Sequence, residues 1–358
     1  MNNLKKKNII VDIERMKYPN TGLFNYCKNL AESLLKNNSY DYTFYLPKKV
    51  KLDHDPDRIN TKVGHKLFVK PSRKFSLWHA TYQTAKYIPS KPIKFVLTIH
   101  DLNFLYENKS EKKREKLLKK VQKLIDRADY ITTISNFVLE DVRKNLNISG
   151  KRVKVIYNGV SLIKHTGFDS PKIRPEGKFY FSIGTVLPKK NFHVLLNLLQ
   201  NTNSSKLFIA GIHPDDDYIL KIRNKAKELG VSDKLVLLGP VSEEEKFWYL
   251  NNCEAFLFPS IAEGFGLPVI EAMLLGKPVF LSTHTSLPEI GGSKAFYFKN
   301  FEGDHMREVL DLGLKKYVDD QMSEGIKTWA EQFNWDRASQ EYISVYDEVL
   351  NEKNKALN

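Results

Sequence analysis

The chain has 358 residues, 42% of them hydrophobic and 12% aromatic, a composition of folded domains that excludes disorder along the whole length. Such a length allows two domains, each with a core of its own. The net charge of +14 is lopsided: residues 1–165 hold 34 Lys+Arg against 15 Asp+Glu, and the remainder 22 against 27, so the first half is suited to a polyanion such as nucleic acid, anionic lipid or a charged glycan carrier.

The basic start of the chain leads into Ile9, Ile10 and Val11, an apolar run too short for the core of a signal peptide. No stretch of about 18 apolar residues is available to cross a bilayer. Cys27 and Cys253 form neither a disulfide framework nor a metal site by themselves. A cytoplasmic setting is expected.

Residues 8–12 predict a short buried strand, followed by a turn at Pro19–Gly22. A helix then carries Leu23, Tyr26, Cys27, Leu30 and Leu34 at spacings of three and four. Further strands are expected at 44–46, 67–69, 77–80 and 95–99. A helix over 111–129, a strand over 130–134, a helix over 135–146 and a strand over 153–157 complete the first series. Residues 161–177, with Pro171, Pro175, Gly167 and Gly177, read as a linker. A second series follows: strands at 179–183, 206–210, 234–238, 255–259 and 278–282 alternate with helices at 191–200, 215–229, 243–252 and 268–275, and a helical tail closes it. Short apolar strands alternating with amphipathic helices predict an α/β chain of two doubly wound, Rossmann-like domains, at 1–165 and 166–336. A cleft between them is the expected ligand site, because such sheets bind ligands beyond the carboxyl ends of their strands.

The informative motifs fall at those strand ends. In Pro259-Ser-Ile-Ala-Glu263-Gly264-Phe265-Gly266-Leu267-Pro268-Val-Ile-Glu271-Ala272, a glycine-rich loop runs from a strand into a helix. Pro268, which has no N–H, is expected at the first helical position, and the amides near 265–269 then form an anion site at the helix start. Glu263 and Glu271 are not spaced like metal ligands; they suit hydroxyls flanking a phosphate, the layout of a sugar nucleotide. Gly184-Thr185-Val-Leu-Pro188-Lys189-Lys190-Asn191 places two lysines at another strand end, where they can neutralise a diphosphate. An apolar strand leads directly into His100 and Asp101. Gly22 precedes the first long helix, and Ser135 stands where it either caps a helix or meets a ligand.

The Glu263–Ala272 segment resembles, residue for residue, the Glu-x7-Glu signature of the retaining GT-B glycosyltransferases of family 4, also called group 1. The resemblance implies that Glu263 contacts hydroxyls of the transferred sugar and Glu271 the nucleotide ribose. Gly264, Phe265, Gly266 and Leu267 would hold sugar and diphosphate. Gly184, Thr185, Lys189 and Lys190 are similar to the family's pyrophosphate segment, with Lys189 where an arginine is usual, so Lys190 carries the greater expectation. Gly239 and Val241 match the segment whose backbone reads the base. The stretch from His100 is similar to mannosyltransferase-like members, in which this histidine lies by the transferred sugar and Asp101 braces the loop. Gly22 and Ser135 match phosphate- or acceptor-side positions, Asn158-Gly159-Val160 matches the end of the first domain, and the helix at about 337–358 resembles one that packs back on that domain.

The implied reaction moves a hexose, with mannose from GDP-mannose as the first expectation, to a glycan or lipid-linked glycan in surface polysaccharide synthesis. The anomeric configuration would be retained, with His100, Glu263 and Lys190 as the catalytic set, no metal, and no cofactor besides the sugar nucleotide as substrate. A UDP-sugar-dependent hexosyl or GlcNAc transferase and a non-catalytic sugar-nucleotide sensor are the alternatives. A nucleic-acid-binding role would draw on the basic half, yet no base-reading motif accompanies it. Lys112, Lys113, Arg114, Lys116, Lys119, Lys120 and Lys123 on the 111–129 helix suggest peripheral contact with an anionic membrane, joined by a basic-aromatic patch at Lys66, Phe68, Lys70, Arg73, Lys74 and Phe75.

Overall fold

A computed structural model describes residues 6–351 except 20, 38, 53–55, 62–74, 90–91, 108, 161–170 and 201–204. The expected strand at 67–69 and most of the 66–75 patch lie outside the described residues. The chain divides into two units, residues 1–161 with 333–358 and residues 162–332.

Among its described residues, unit 1 holds seven parallel strands: β1 (Asn8–Asp12), β2 (Asp41–Leu46), β3 (Arg58–Asn60), β4 (Phe75–Ala80), β5 (Lys94–Ile99), β6 (Tyr130–Thr133) and β7 (Arg152–Val155), in the order β3-β2-β1-β4-β5-β6-β7. Between these strands run helices α1 (Gly22–Leu35), α2 (Glu111–Arg127) and α3 (Asn136–Asn145). Sheets covered on both faces need continuous apolar strands, and β1 and β5 supply them: Ile9, Ile10, Val11, Phe95, Val96 and Leu97 are fully buried. On α2, Val121, Leu124 and Ile125 pack inward while Lys112, Lys113, Lys116, Lys119, Lys120 and Lys123 are exposed. The apolar stripe of that helix thus belongs to the core.

Among its described residues, unit 2 holds six parallel strands: β8 (Phe179–Ile183), β9 (Lys206–Ala210), β10 (Leu235–Gly239), β11 (Ala255–Phe258), β12 (Val279–Ser282) and β13 (Phe296–Phe298), in the order β10-β9-β8-β11-β12-β13. Helices α4 (Asp216–Glu228), α5 (Glu243–Asn252), α6 (Leu267–Leu274), α7 (Leu287–Gly291), α8 (Gly303–Asp319) and α9 (Ser323–Glu331) accompany the sheet. In each sheet the strand order reverses at the first strand of the unit, β1 or β8, the hallmark of a doubly wound sheet.

The structure departs from the sequence expectations at three places. The helix expected over 191–200 is a 3-10 helix, Phe192–Leu199, which starts from a left-handed Asn191 (φ 57°) after the Pro188–Lys190 turn. Five of its eight side chains are buried, so packing rather than helix propensity sets its winding. Edge strand β3 has no apolar run, and edge strand β13 interrupts what reads as a helical tail; both are three residues long, below what periodicity detects.

The last helix, α10 (Trp335–Asn351), packs in unit 1. Tyr342 and Tyr346 are fully buried; their hydroxyls lie 2.7 Å from Tyr26 Oη and 2.8 Å from His79 Nδ1, and His79 Nε2 is 2.8 Å from Thr98 Oγ1. A row of buried polar groups of this kind is stable because each member finds a partner. Val160 N–H donates to Phe333 O at 2.9 Å. A Cβ on Gly159 would lie 2.3 Å from Trp335 N, so the Asn158-Gly159-Val160 segment seats the start of α10 and admits no side chain at its centre.

Candidate functional site

In unit 2 the carboxyl ends of three neighbouring strands close on glycines in left-handed or extended-positive backbone: Gly184 (φ 155°) after β8, Gly211 (φ 136°) after β9 and Gly239 (φ 73°) ending β10. Gly184 N–H donates to Ala210 O at 3.0 Å and Gly211 N–H to Gly239 O at 2.8 Å, so the loops are stitched to one another. A Cβ on Gly211 would stand 1.9 Å from Gly184 O. At Gly184 a Cβ would meet Lys190 Cε at 3.0 Å, because the lysine side chain lies across that glycine.

Lys190 Nζ reaches Glu263 Oε1 at 2.5 Å, and both side chains are largely buried. The same ammonium lies 4.8 Å from the centroid of the Phe258 ring, at the end of β11. Lys189 contributes its backbone carbonyl, which accepts from Ile261 N–H at 2.9 Å and Ser260 Oγ at 3.1 Å, tying the two motif loops together. Glu263 is further fixed by its own N–H, which donates to Thr285 Oγ1 at 3.0 Å. Ser286 Oγ donates to Glu263 O (3.1 Å) and Phe265 O (2.9 Å). Thr285 itself sits at φ 55°, a conformation that side chains adopt only when their surroundings impose it.

Helix α6 begins one residue earlier than its proline suggests: Gly266, at φ 115°, is the N-cap, and Pro268 occupies the second position. Proline remains compatible there because the first-turn amides lack helical acceptors in any case. Glu271, one turn on, does not turn toward Lys190. It accepts a hydrogen bond from Lys246 Nζ of α5 at 2.8 Å, and Lys246 also reaches Glu243 at 2.7 Å. Burial raises the Glu271 carboxyl above its ordinary value, against the pull of Lys246. For Lys246, burial works against the charge, but Glu271 and Glu243 outweigh it and its pKa is raised. The two signature glutamates therefore each face a lysine, one from the Pro188–Lys190 turn and one from α5. Gly239 and Val241 flank the β10–α5 turn that leads to Lys246, and Thr185 follows Gly184 at the end of β8.

In unit 1, His100 is buried directly after β5. Its Nε2–H donates to Thr81 O at 2.9 Å, and the Tyr26 ring meets it edge-on at 4.4 Å. Gln83 joins His100 to Asp101: its Oε1 accepts from His100 N–H at 3.1 Å, and its Nε2 donates to Asp101 O at 2.8 Å. Asp101 Oδ1 accepts from Asn103 N–H at 3.0 Å, which braces the loop. Asp12, at the end of β1, is buried close by in the network: Thr81 Oγ1 donates to its carbonyl, and its carboxylate accepts from Glu14 N–H at 3.0 Å. Ser135 is the N-cap of α3, its hydroxyl accepting from Val138 N–H at 3.2 Å. Gly22 opens α1 behind a Thr21 cap.

Lys246, Gly211, Thr285, Ser286, Asp12, Thr81 and Gln83 are absent from the sequence reading. For Lys246 the signal is faint: a lysine at the fourth position after the capping-box Ser242, where α5 turns its buried face inward.

Burial drives three unit 1 groups away from their ordinary values: His79 falls to about 3, His100 to about 4, and Asp12 rises to about 7. Between about pH 5.5 and 4.5 the unfolded chain binds nearly two protons at these imidazoles that unit 1 refuses, while Asp12 keeps one that the unfolded chain releases. The net excess lies with the unfolded state, so the three groups together lower stability as pH falls, by about 1.4 kcal/mol per pH unit. Asp12→Asn removes the opposing proton and steepens that slope to about 2.7 kcal/mol per unit. Urea unfolding across the window measures it; equal slopes for the variant and the parent would exclude a proton held on Asp12.

Two family profiles match adjoining segments: Glycosyltransferase Family 4 over residues 72–164 and Glycosyl transferases group 1 over residues 164–327. Among curated relatives, the O-antigen chain mannosyltransferase RfbU of Salmonella typhimurium is 28% identical over 204 residues, 56% of this chain and 55% of that protein. The chain thus spans little more than half the length of that relative. Among solved structures, sucrose-phosphate synthase from Thermosynechococcus elongatus superposes with a TM-score of 0.74 at 15% identity, covering 96% of this chain and 99% of its own. Anabaena HepE in complex with UDP-glucose gives 0.70 at 17% identity, over 95% and 99%. At such identities the likeness is one of fold.

Proposed function

Because the chain belongs to the family 4, group 1 glycosyltransferases of GT-B fold, we propose that it moves a hexosyl group from a nucleoside diphosphate sugar to a hydroxyl of a glycan or lipid-linked glycan, with retained anomeric configuration. Mannose from GDP-mannose is the first choice of donor, supported by the similarity to RfbU, in the synthesis of a surface polysaccharide.

The observation that carries this reading is the Lys190–Glu263 pair at the strand-end glycines of unit 2. A cation suited to a diphosphate and a carboxylate suited to sugar hydroxyls stand in contact, next to a helix start. In this reading Lys190, with Lys189, neutralises the leaving diphosphate, joined by the amides of Gly264, Phe265, Gly266 and Leu267. Glu263 orients the transferred sugar, Glu271 accepts from the ribose hydroxyls, and the backbone at Gly239 and Val241 meets the base. His100, held neutral by burial with Nε2–H committed to Thr81, acts as a polar wall for the sugar and not as a cation. In the same reading Asp101 braces its loop, the backbone at Gly22 serves the donor phosphate or the acceptor, and Ser135 supports the acceptor or its loop. Fixed lysines and amide dipoles supply the charge stabilisation that a metal gives in other transferases, so EDTA leaves turnover unchanged.

A UDP-sugar donor is the second reading, favoured by the fold likeness to HepE, whose structure contains UDP-glucose. Thermal shift against GDP-mannose, UDP-glucose, UDP-galactose and UDP-GlcNAc, followed by transfer assays with the stabilising donor and lipid-linked glycans, distinguishes the two. Stabilisation without transfer or donor hydrolysis would favour a sugar-nucleotide sensor. Stabilisation by none of these donors would remove the proposal.

The exposed lysines of α2 support a peripheral, cytoplasmic-face membrane association for this enzyme. Since the apolar stripe of α2 is buried in unit 1, that contact is electrostatic, about 1 kcal/mol per near-surface Lys. Flotation with anionic vesicles at 50 mM salt is expected to recover the protein, and 300 mM salt or neutral vesicles to release it. Equal recovery from both vesicle types excludes the electrostatic contact.

A further inference from the structure

Glu271 sits in a place that disfavours a charged carboxylate. It is almost enclosed, with 12% of its side chain exposed, and burial alone pushes its proton affinity up. The elements packed on α6 are α5, α7, α9, β11 and β12. Strands β11 and β12 carry no charged residue. On α9, Glu324 and Lys327 bond to each other at 2.6 Å, and α7 carries Glu289. The charges that act on Glu271 come from α5: Lys246, and behind it Glu243.

Lys246 is itself 7% exposed, and a lysine is found so deep only when paired. Its ammonium bridges Glu271 at 2.8 Å and Glu243 at 2.7 Å, while Glu243 stays 54% exposed. Glu243 therefore shares the lysine from the solvent side, and Glu271 receives it from within. The lysine is anchored by the geometry of α5, whose first turn is fixed by a reciprocal capping box between Ser242 and Glu245. Lys246 thus holds one Glu271 oxygen, Oε1, in place.

We propose that Lys246 is a positioning residue for donor binding: it keeps Glu271 ionised and aimed, so that the carboxylate accepts hydrogen bonds from the vicinal hydroxyls of a nucleoside diphosphate's ribose. This rests on the reading of Glu271 given above. A carboxylate offers acceptors to both hydroxyls, whereas a protonated carboxyl loses one of them. The contact forms with the bound donor throughout the reaction, so its loss raises KM and leaves kcat nearly unchanged.

The test is the affinity of the full-length protein for UDP and GDP between pH 6 and 8.5, measured by calorimetry on wild type, Lys246→Met and Lys246→Arg, with KM and kcat for the active donor. The wild type is expected to bind one of the two with a flat profile. Lys246→Met should bind about tenfold more weakly at pH 6.5 and recover toward pH 8.5, as Glu271 loses its proton. Lys246→Arg, which restores the charge, should return the affinity to within about threefold and flatten the profile. The 2′-deoxy nucleotide should show a smaller penalty in Lys246→Met than the ribonucleotide does. A flat profile and unchanged affinity in Lys246→Met overturn this inference while leaving the site reading intact. Failure of wild type to bind either nucleotide overturns the site reading itself. If Lys246→Met does not fold, Lys246→Gln takes its place with the same expected profile, and a wild-type profile in that variant overturns the inference equally.

Discussion

Glu263→Gln is expected to cut hexosyl transfer steeply while nucleoside diphosphate binding survives. In the resting protein Glu263 and Lys190 neutralise each other across 2.5 Å, so the ammonium proposed for the diphosphate is already engaged by the carboxylate proposed for the sugar. Removing the carboxylate charge releases Lys190 to the diphosphate, and affinity for UDP or GDP should hold or rise. Turnover should nonetheless fall about 10²-fold or more, because the transferred sugar is no longer held in its reacting position. Lys190→Ala should do the reverse, weakening nucleotide binding first. The glutamine is close to isosteric and keeps one acceptor, and Glu263 N–H remains bound to Thr285, so the fold is preserved. Transfer within fivefold of wild type in Glu263→Gln would remove this residue from the chemistry.

Gly211→Ala carries the second large effect, and it concerns the scaffold. At φ 136° an alanine is strained, and its Cβ would stand 1.9 Å from the Gly184 carbonyl oxygen. That carbonyl belongs to the loop that Lys190 crosses, so relief of the clash must displace the end of β8 together with the lysine. A loss of about 3 kcal/mol or more is expected, by the mechanisms that make single substitutions exceptional. Gly177→Ala is the control: its φ of 81° is also left-handed, but nothing stands within 4 Å of the added carbon. Its cost should be only about 1–2 kcal/mol, from backbone handedness alone. Chemical denaturation of both variants compares them; equal losses would show that the contact with Gly184 is soft.

The glycosyltransferase signature was readable because it is local. Glu263, Gly266, Pro268 and Glu271 lie within nine residues, and a strand end, a glycine turn and a helix start each leave a compositional mark there. The lysine pair after Gly184 was legible for the same reason. Lys246 was not, because its significance is a contact with Glu271 across 25 positions of sequence, and a lysine on a charged helix start reads as a solvated side chain. Asp12 escaped notice likewise: an acidic residue closing a strand resembles ordinary surface punctuation until Thr81, 69 positions away, closes over its carbonyl. Ser135 had two meanings in the sequence, and its bond to Val138 places it at the α3 cap.

Taken alone, the sequence determined most of the alternation of strands and helices, the doubly wound class of both units and the residues of the two glycine-rich motifs, since periodicity and turn chemistry act over a few neighbouring residues. Tertiary structure alone decided which partner each charge receives, the 3-10 winding of Phe192–Leu199, and the ionisation of His100, Asp12 and Glu271. Ionisation follows from desolvation and from charges brought near by packing, and both depend on distances through space that no local pattern encodes.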